Sequence, residues 1–216
     1  MSISPRRKRD RERKTNEIVD AAENEFFSNG YEKTTMESIA DKLELTKPAL
    51  YRYFKNKNDL YYAVVLRGTI ILANMMDNYV ESQDTGIKKI YATGLAYCKF
   101  YREYPDYTKV LLEAKADFSP VKDSINLEKL IEYSTKHLTI MCNAIETGKK
   151  DGTIRADIDT FMTALYLIES TTAILQLSEN TEFVIKSRGI NKEEFLRHSF
   201  KLMGNSIENN EKENNI

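Results

Sequence analysis

The sequence predicts an all-α protein, and three observations support this prediction. Only 8 glycines and 4 prolines occur among 216 residues, so few turns are obligatory and long helices are favoured. Apolar residues recur three and four positions apart through most of the chain, which is the spacing of one helix face. Hydrophobic residues make up 41% of the chain and charged residues 30%, a balance that supports a globular core. We therefore expect a small N-terminal helical domain followed by a larger helical bundle.

The first 14 residues form a basic segment that leads into the first predicted helix. Two interpretations of this segment stay open: a solvated charged tail, or an arm that lies along DNA phosphates or in the adjacent minor groove. The segment's basic residues are Arg6, Arg7, Lys8, Arg9, Arg11, Arg13 and Lys14. Ile18 and Phe26 mark an apolar stripe that predicts a helix over residues 15–29. Gly30 is the expected C′ residue of that helix.

Residues 34–60 predict two short helices joined by a tight turn. Thr34 or Thr35 can cap the first helix, and Thr34 with Glu37 fits a capping box. This helix would extend from about Met36 to Leu43. Glu44 and the residue after it would then form the turn.

The second short helix carries the residues that could read DNA. Thr46 is its expected N-cap, and Pro48 fits its first turn because no amide hydrogen is needed there. The helix would extend from Lys47 to Phe54, with Leu50 and Phe54 facing inward. An arginine on the outer face could donate two hydrogen bonds to a guanine edge, and the remaining groups suit phosphates and thymine methyl groups. The candidate DNA-binding residues are Thr35, Thr46, Lys47, Pro48, Ala49, Tyr51, Arg52, Tyr53 and Lys57. Periodicity alone leaves open an ordinary surface hairpin of two helices.

The charge distribution favours a DNA-binding head. Residues 1–58 carry 13 basic and 10 acidic side chains, a net charge of +3. The remainder carries 19 basic and 23 acidic side chains, a net charge of −4. A basic head on an acidic body fits a localised DNA footprint.

The stretch from about residue 15 to residue 62 resembles the DNA-binding domain of the tetracycline-repressor (TetR) family of bacterial regulators. The resemblance implies a helix-turn-helix in a three-helix head, a palindromic double-stranded DNA operator, and a helical body that dimerises and binds a small-molecule effector. The matching residues are Ile18, Ala21, Ala22, Phe26, Gly30, Tyr31, Thr35, Ile39, Ala40, Leu45, Thr46, Lys47, Leu50, Tyr51, Phe54, Lys57 and Leu60. Glu44 departs from the family's usual glycine, and it costs on the order of 1 kcal/mol if the turn needs a positive φ.

The rest of the chain predicts a body of helices. We expect domain boundaries at residues 1–58 for the head, 59–208 for the body and 209–216 for a polar tail. The expected body helices are residues 58–82, capped by Asn58 or Asp59, then 85–104, 105–116, a helix capped by Asn126, 160–178 capped by Asp159, and 191–207 capped by Asn191.

The segment over residues 160–178 has almost no polar face. Such a helix must be covered on all sides. It could be a central core helix of one chain, or it could meet a second copy of the chain. The resemblance favours the second interpretation and assigns the last two predicted helices, residues 160–178 and 191–207, to a homodimer interface.

An effector site is implied by the resemblance, but no motif locates it. Tyrosine and methionine at a cavity wall would suit a flat or cationic apolar ligand, with Glu169 as a partner for its charge. The same aromatic residues at helical spacing could instead be ordinary core. The candidate effector-binding residues are Tyr97, Phe100, Tyr101, Met141, Tyr166 and Glu169.

Other classes of function have little support in the sequence. Cys98 and Cys142 are isolated, and His137 and His198 are the only histidines, so we expect no disulfide, metal or cofactor. No catalytic motif points to an enzyme. The absence of a signal peptide and of a membrane span predicts a cytoplasmic protein without a membrane partner. Two regulator hypotheses remain: a dimeric repressor released by a small molecule, and a DNA-binding activator or regulator switched by a protein partner.

Overall fold

The described part of the chain, residues 4–116 and 124–209 of a computed structural model, folds into ten helices. The only extended pairing in these residues is an isolated bridge between Ile154 and Glu208. The helices are α1 (Pro5–Lys33), α2 (Met36–Lys42), α3 (Lys47–Tyr51), α4 (Lys57–Glu81), α5 (Gly86–Glu103), α6 (Pro105–Ala116), α7 (Ile125–Asp151), α8 (Thr160–Leu175), α9 (Glu179–Ser187) and α10 (Lys192–Ile207). The predicted all-α class is confirmed. None of these helices is both long enough and apolar enough to cross a membrane.

The helices divide between two compact units whose segments alternate along the chain. The first unit is drawn from Met1–Ile71 and Tyr104–Tyr133. The second is drawn from Leu72–Glu103 and Ser134–Ile216. Helices α4 and α7 each contribute residues to both units. The boundaries at residues 58 and 208 stay predictions, and residues 210–216 of the expected polar tail lie outside the described part.

Helix α1 begins ten residues earlier than its apolar stripe predicts. Ser4 is its N-cap, and the Ser4 hydroxyl oxygen accepts a hydrogen bond from the Arg7 amide at 3.4 Å. Lysine, arginine and glutamate are good helix formers, and ion pairs four residues apart, such as Arg6 with Asp10 at 4.0 Å, favour helix in an exposed segment. The basic segment is therefore helical from Pro5 onward. At the other end, Gly30 has a φ of 73° and interrupts the helix where the sequence predicts.

The first unit is built around the apolar faces of α1, α2 and α4. Ile18, Ile39, Leu50 and Leu60 are each completely buried there, and Phe26 is 2% exposed. Their burial fixes α3 against the other helices, because a helix of five residues has almost no stability of its own.

Several caps differ from those predicted. The capping box of α2 is formed by Thr35 and Ser38, each of which accepts a hydrogen bond from the other's amide. It is not formed by Thr34 and Glu37, because the Thr34 hydroxyl is buried and donates to backbone carbonyl groups of α1. Asn56 provides the cap of α4, since its side-chain oxygen accepts from the Asp59 amide at 2.9 Å.

The cap of α7 also differs from the predicted one, whereas two other predicted caps are confirmed. The Ser124 hydroxyl oxygen accepts from the Leu127 amide at 3.2 Å, so Ser124 takes the place predicted for Asn126. Asp159 and Asn191 cap α8 and α10 as predicted.

The second unit packs α5 against α7, α8 and α10. Gly86, at the start of α5, lies so close to the backbone of Gly148 in α7 that any side chain at Gly86 would collide with it. Helix α9, which no apolar pattern indicates, follows the cap residue Ser178 and buries none of its own residues.

Helix α8 has one buried face and one exposed face. Its buried residues are Ala164, Leu167, Thr171 and Leu175. Four large apolar side chains on the opposite face remain exposed in the single chain: Phe161 at 55%, Met162 at 70%, Leu165 at 39% and Tyr166 at 53%. One chain therefore covers only part of this apolar helix.

Candidate nucleic-acid interface and effector cavity

The inner face of α3 holds the candidate DNA-binding residues in place. Leu50 is completely buried and Phe54 is 2% exposed, so both point into the core of the first unit as predicted. The helix itself ends at Tyr51 rather than Phe54, because the amides of Tyr53 and Phe54 both donate to the Leu50 carbonyl and close the chain into a turn. Arg52 and Tyr53 therefore follow the helix.

The turn between α2 and α3 contains the only non-glycine residue with positive φ in the described part of the chain. Glu44 has a φ of 52°. The Leu45 amide donates to the Ala40 carbonyl at 2.9 Å, which closes the end of α2. A glutamate in this conformation costs about 1 kcal/mol, the cost expected for a positive φ at this position.

The predicted DNA-binding residues differ in exposure. Three of them, Ala49, Tyr53 and Lys57, are half-buried. The exposed ones are Thr35, Thr46, Lys47, Pro48, Tyr51 and Arg52. The Thr46 hydroxyl oxygen accepts from the Ala49 amide at 3.4 Å, so Thr46 caps α3 as predicted. Most of the exposed set lies in α3 or next to its two ends, and Thr35 is the N-cap of α2.

Lys47 forms an ion pair with Glu37 of α2. The pair raises the pKa of Lys47, and the hydrogen bond from Lys47 lowers the pKa of the Glu37 carboxyl. Both side chains remain about half exposed. From the sequence, Glu37 was predicted only as a capping residue. The ion pair could not be predicted because it depends on the angle between α2 and α3.

Lys57 is held inside the first unit rather than projecting freely. Its ammonium group donates to the Tyr31 carbonyl at 2.9 Å and lies 4.1 Å from the centre of the Tyr31 ring. The Tyr31 hydroxyl in turn forms a hydrogen bond with Asn58. These contacts join the end of α1 to the start of α4, so Lys57 positions the head as well as adding positive charge to it.

A buried carboxylate links α1 to α2. Glu25 is 5% exposed, pairs with Lys42 and accepts a hydrogen bond from Asn29 at 3.1 Å. The hydrogen bond from Lys42 lowers the pKa of the Glu25 carboxyl. The sequence offers no signal for this pair, because its members lie 17 positions apart on different helices.

The second unit contains a cavity of about 780 Å³ between α5, α8 and α10, with one wall from α7. Of the predicted effector residues, Tyr97, Tyr101 and Met141 line the cavity. Burial and the negative charge of Glu169 raise the pKa of Tyr97 to about 12, so its phenol stays protonated at neutral pH.

The other predicted effector residues lie elsewhere. Phe100 is 2% exposed and belongs to the core, outside the cavity lining. Tyr166 and Glu169 are exposed on α8 and also lie outside the lining. Nowhere in the described ranges do three His, Cys, Asp or Glu side chains come together as a metal site would require.

The chain thus has a helix-turn-helix head and a helical body with a cavity, the arrangement of a DNA-binding regulator. Residues 18–64 match the family model described as bacterial regulatory proteins, tetR family. The matched segment contains α2, the turn at Glu44 and α3. The head of the chain is therefore similar to that family.

Two regulators and one solved structure are similar to this chain. The transcriptional activator FasR of Mycolicibacterium smegmatis is 37% identical over 57 residues, which is 26% of this chain and 26% of that protein. The transcriptional repressor KstR2 of Rhodococcus jostii is 28% identical over 154 residues, 70% of this chain and 72% of that protein. A solved structure of AibR in complex with isovaleryl coenzyme A and operator DNA has a TM-score of 0.64 at 18% identity, covering 88% of this chain and 96% of that one. At this identity the structure shows a shared fold.

Proposed function

We propose that this protein is a homodimeric repressor that binds a palindromic DNA operator and leaves it when a small molecule enters the cavity of the second unit. The observation that supports DNA binding most directly is the exposed surface of α3, held on a buried core by Leu50 and Phe54. The cavity supports the effector. KstR2 is named a repressor, and the AibR structure contains both operator DNA and a coenzyme A thioester.

In this proposal the exposed residues of α3 and its ends contact the major groove. Arg52 donates to a guanine edge, and Pro48 and Ala49 meet a thymine methyl group. Thr35, Thr46, Lys47, Tyr51 and Tyr53 contact phosphates. Lys57 acts through its charge and through its hold on Tyr31.

The role of Arg52 is tested by its replacement with alanine. Arg52→Ala should cost about 1–3 kcal/mol of binding free energy on a selected duplex and relax specificity at one base position per half-site. The measurement is fluorescence anisotropy against a panel of single-base variants. Arg188→Ala, which removes an exposed arginine of the second unit, is the control. Unchanged specificity in Arg52→Ala would overturn this docking.

Dimerisation is supported by the exposed apolar face of α8. Phe161, Met162, Leu165 and Tyr166 form it, and Leu202 of α10 is also 57% exposed. A dimer would cover these side chains and could place two heads on half-sites about 34–36 Å apart. Met162→Glu should convert the dimer to a monomer in light scattering and weaken operator binding at least tenfold. Ile131→Glu, at another exposed apolar residue, is the control. A wild-type protein that is monomeric at micromolar concentration would contradict the proposal.

We propose a regulator rather than an enzyme, acting in the cytoplasm where its DNA is. The alternative is an activator or a regulator switched by a protein partner. FasR is named an activator and KstR2 a repressor, so these similarities do not decide the direction of regulation. A reporter fused to the bound promoter distinguishes the two, because deletion of the gene raises expression under a repressor and lowers it under an activator.

A further inference from the structure

The cavity of the second unit is elongated, because it follows two antiparallel helices. Three contacts across α5 and α10 define their direction: Tyr101 with Lys192, Gly94 with Phe200, and Tyr91 with Gly204. From residue 91 to residue 101, α5 rises by about 15 Å. Gly204 lets the Tyr91 ring lie against α10, and Gly94 lets the Phe200 ring lie against α5. A long, narrow ligand therefore fits this cavity better than a compact one.

The inner wall of the cavity is apolar. Met141, Leu167, Leu175 and Met203 line it and are each less than 10% exposed. The Thr93 hydroxyl is already engaged, since it donates to the Ile90 carbonyl at 2.7 Å. Burial of an apolar chain against this wall is therefore favourable, whereas a polar chain would find few hydrogen-bonding groups there.

The exposed part of the cavity lining is basic. Arg102, Arg197 and Lys201 are exposed members of the lining, and within the described residues none of them has a carboxylate partner. A fourth cation, Lys192, is paired with Glu182 at 2.7 Å. Glu193 is the one acidic residue of the lining. This balance favours an anionic group on the ligand, in contrast to the cationic ligand expected from Glu169.

We infer that the cavity binds an acyl chain that carries an anionic group, with the chain along α5 and α10 and the anion among Arg102, Arg197 and Lys201. The inference rests on the proposed function for its regulatory meaning, but the binding itself requires no DNA. Free fatty acids and acyl thioesters of coenzyme A share this chemistry.

Calorimetry on the full-length wild-type protein tests the inference without DNA. The probes are carboxylates of 8, 12 and 16 carbons, the alcohols of equal length, and the corresponding coenzyme A thioesters. Affinity should rise about fourfold for each added methylene until the groove is filled. An anionic probe should bind about tenfold more tightly than the alcohol of equal length, and added salt should reduce that advantage.

Two variants separate the parts of the site. The triple variant Arg102→Gln, Arg197→Gln, Lys201→Gln should remove the advantage of the anion and leave alcohol binding unchanged. Arg188→Gln removes an exposed arginine outside the lining and is the matched control. Gly94→Leu should fill the groove and weaken every long-chain probe. If the triple variant is misfolded, the salt dependence of anion binding by the wild-type protein tests the same role of the three cations.

The outcomes distinguish the sources and the two proposals. Binding of thioesters alone, or of carboxylates as well, identifies the source and supports the inference in either case. Equal affinity for anions and alcohols, or no binding of any chain by protein that still binds DNA, would overturn it. Binding without release of the operator would support the ligand class and contradict the small-molecule switch in the proposed function.

Discussion

The ion pair between Lys47 and Glu37 should weaken DNA binding, so removing the acid should strengthen it. Lys47 is the first residue of α3, and its ammonium group is held by a carboxylate of α2. For Lys47 to reach a phosphate, this pair must open. The Glu37 carboxylate would then lie unpaired beside the negatively charged DNA.

The size of this effect follows from the exposure of the pair. Lys47 and Glu37 are 47% and 55% exposed, so solvent screens the pair and its contribution is small. Glu37→Gln should therefore raise DNA affinity about 1.4- to fivefold per head, and roughly the square of that for a dimer with two bound heads.

The assay is a titration of a selected duplex, followed by fluorescence anisotropy at low salt. Asp84→Asn is the matched control, since Asp84 also forms an exposed ion pair, with Lys88 at 2.9 Å, but in the second unit. When Lys47 is also replaced by alanine, Glu37→Gln should increase DNA affinity less, because no lysine remains to be released from the ion pair. If Glu37→Gln binds no more tightly than Asp84→Asn, or more weakly than wild type, Lys47 does not exchange Glu37 for a phosphate.

Two further predictions concern the stability of the first unit. Glu44→Gly should stabilise the unit by about 1 kcal/mol, because φ is 52° at this position, whereas Glu44→Ala should give no gain in stability. Urea unfolding measures the stability of both variants. A glycine variant less stable than wild type would contradict the turn geometry. Lys42 lowers the pKa of Glu25 below its ordinary value of 4.5, so the pair contributes stability above that pH and loses it as pH falls through the lowered pKa. Glu25→Gln should therefore be less stable at pH 7 by about 1–3 kcal/mol and should lose less stability between pH 5 and 3 than wild type, which thermal unfolding across that range would check.

The sequence could predict the elements whose signals are local. Apolar stripes located α4, α5 and α8 to within a few residues at most ends, and Gly30 was recognised as a helix end because a single residue determines it. Helix α9 was not predicted, because none of its residues is buried and its sequence therefore shows no apolar stripe. Its start signal was nevertheless present in the cap residue Ser178 and in the acidic first-turn residues Glu179 and Glu182.

The parts that could not be predicted depend on contacts between distant positions. The Lys57 contact with Tyr31 joins residues 26 positions apart. The choice of Thr35 over Thr34 as the cap of α2 was decided by burial of the Thr34 hydroxyl against α1. For the cavity, Tyr97 and Tyr101 share a helix face that lines it, whereas Phe100 turns into the core. A list of aromatic residues contains no information about which of them a neighbouring helix covers.

The contacts around Glu23 limit how an effector signal could reach the head. The Tyr107 hydroxyl of α6 donates to the Glu23 carboxylate at 2.5 Å, and Arg67 of α4 donates to the same oxygen at 3.0 Å. The Tyr107 ring packs edge to face on Phe27 and fits against α4 only because residue 68 is glycine. A displacement of α6 or α4 must therefore carry α1 with it or break these contacts. Since α1 packs on α2, this part of α1 connects movements of either helix to the proposed DNA-binding surface.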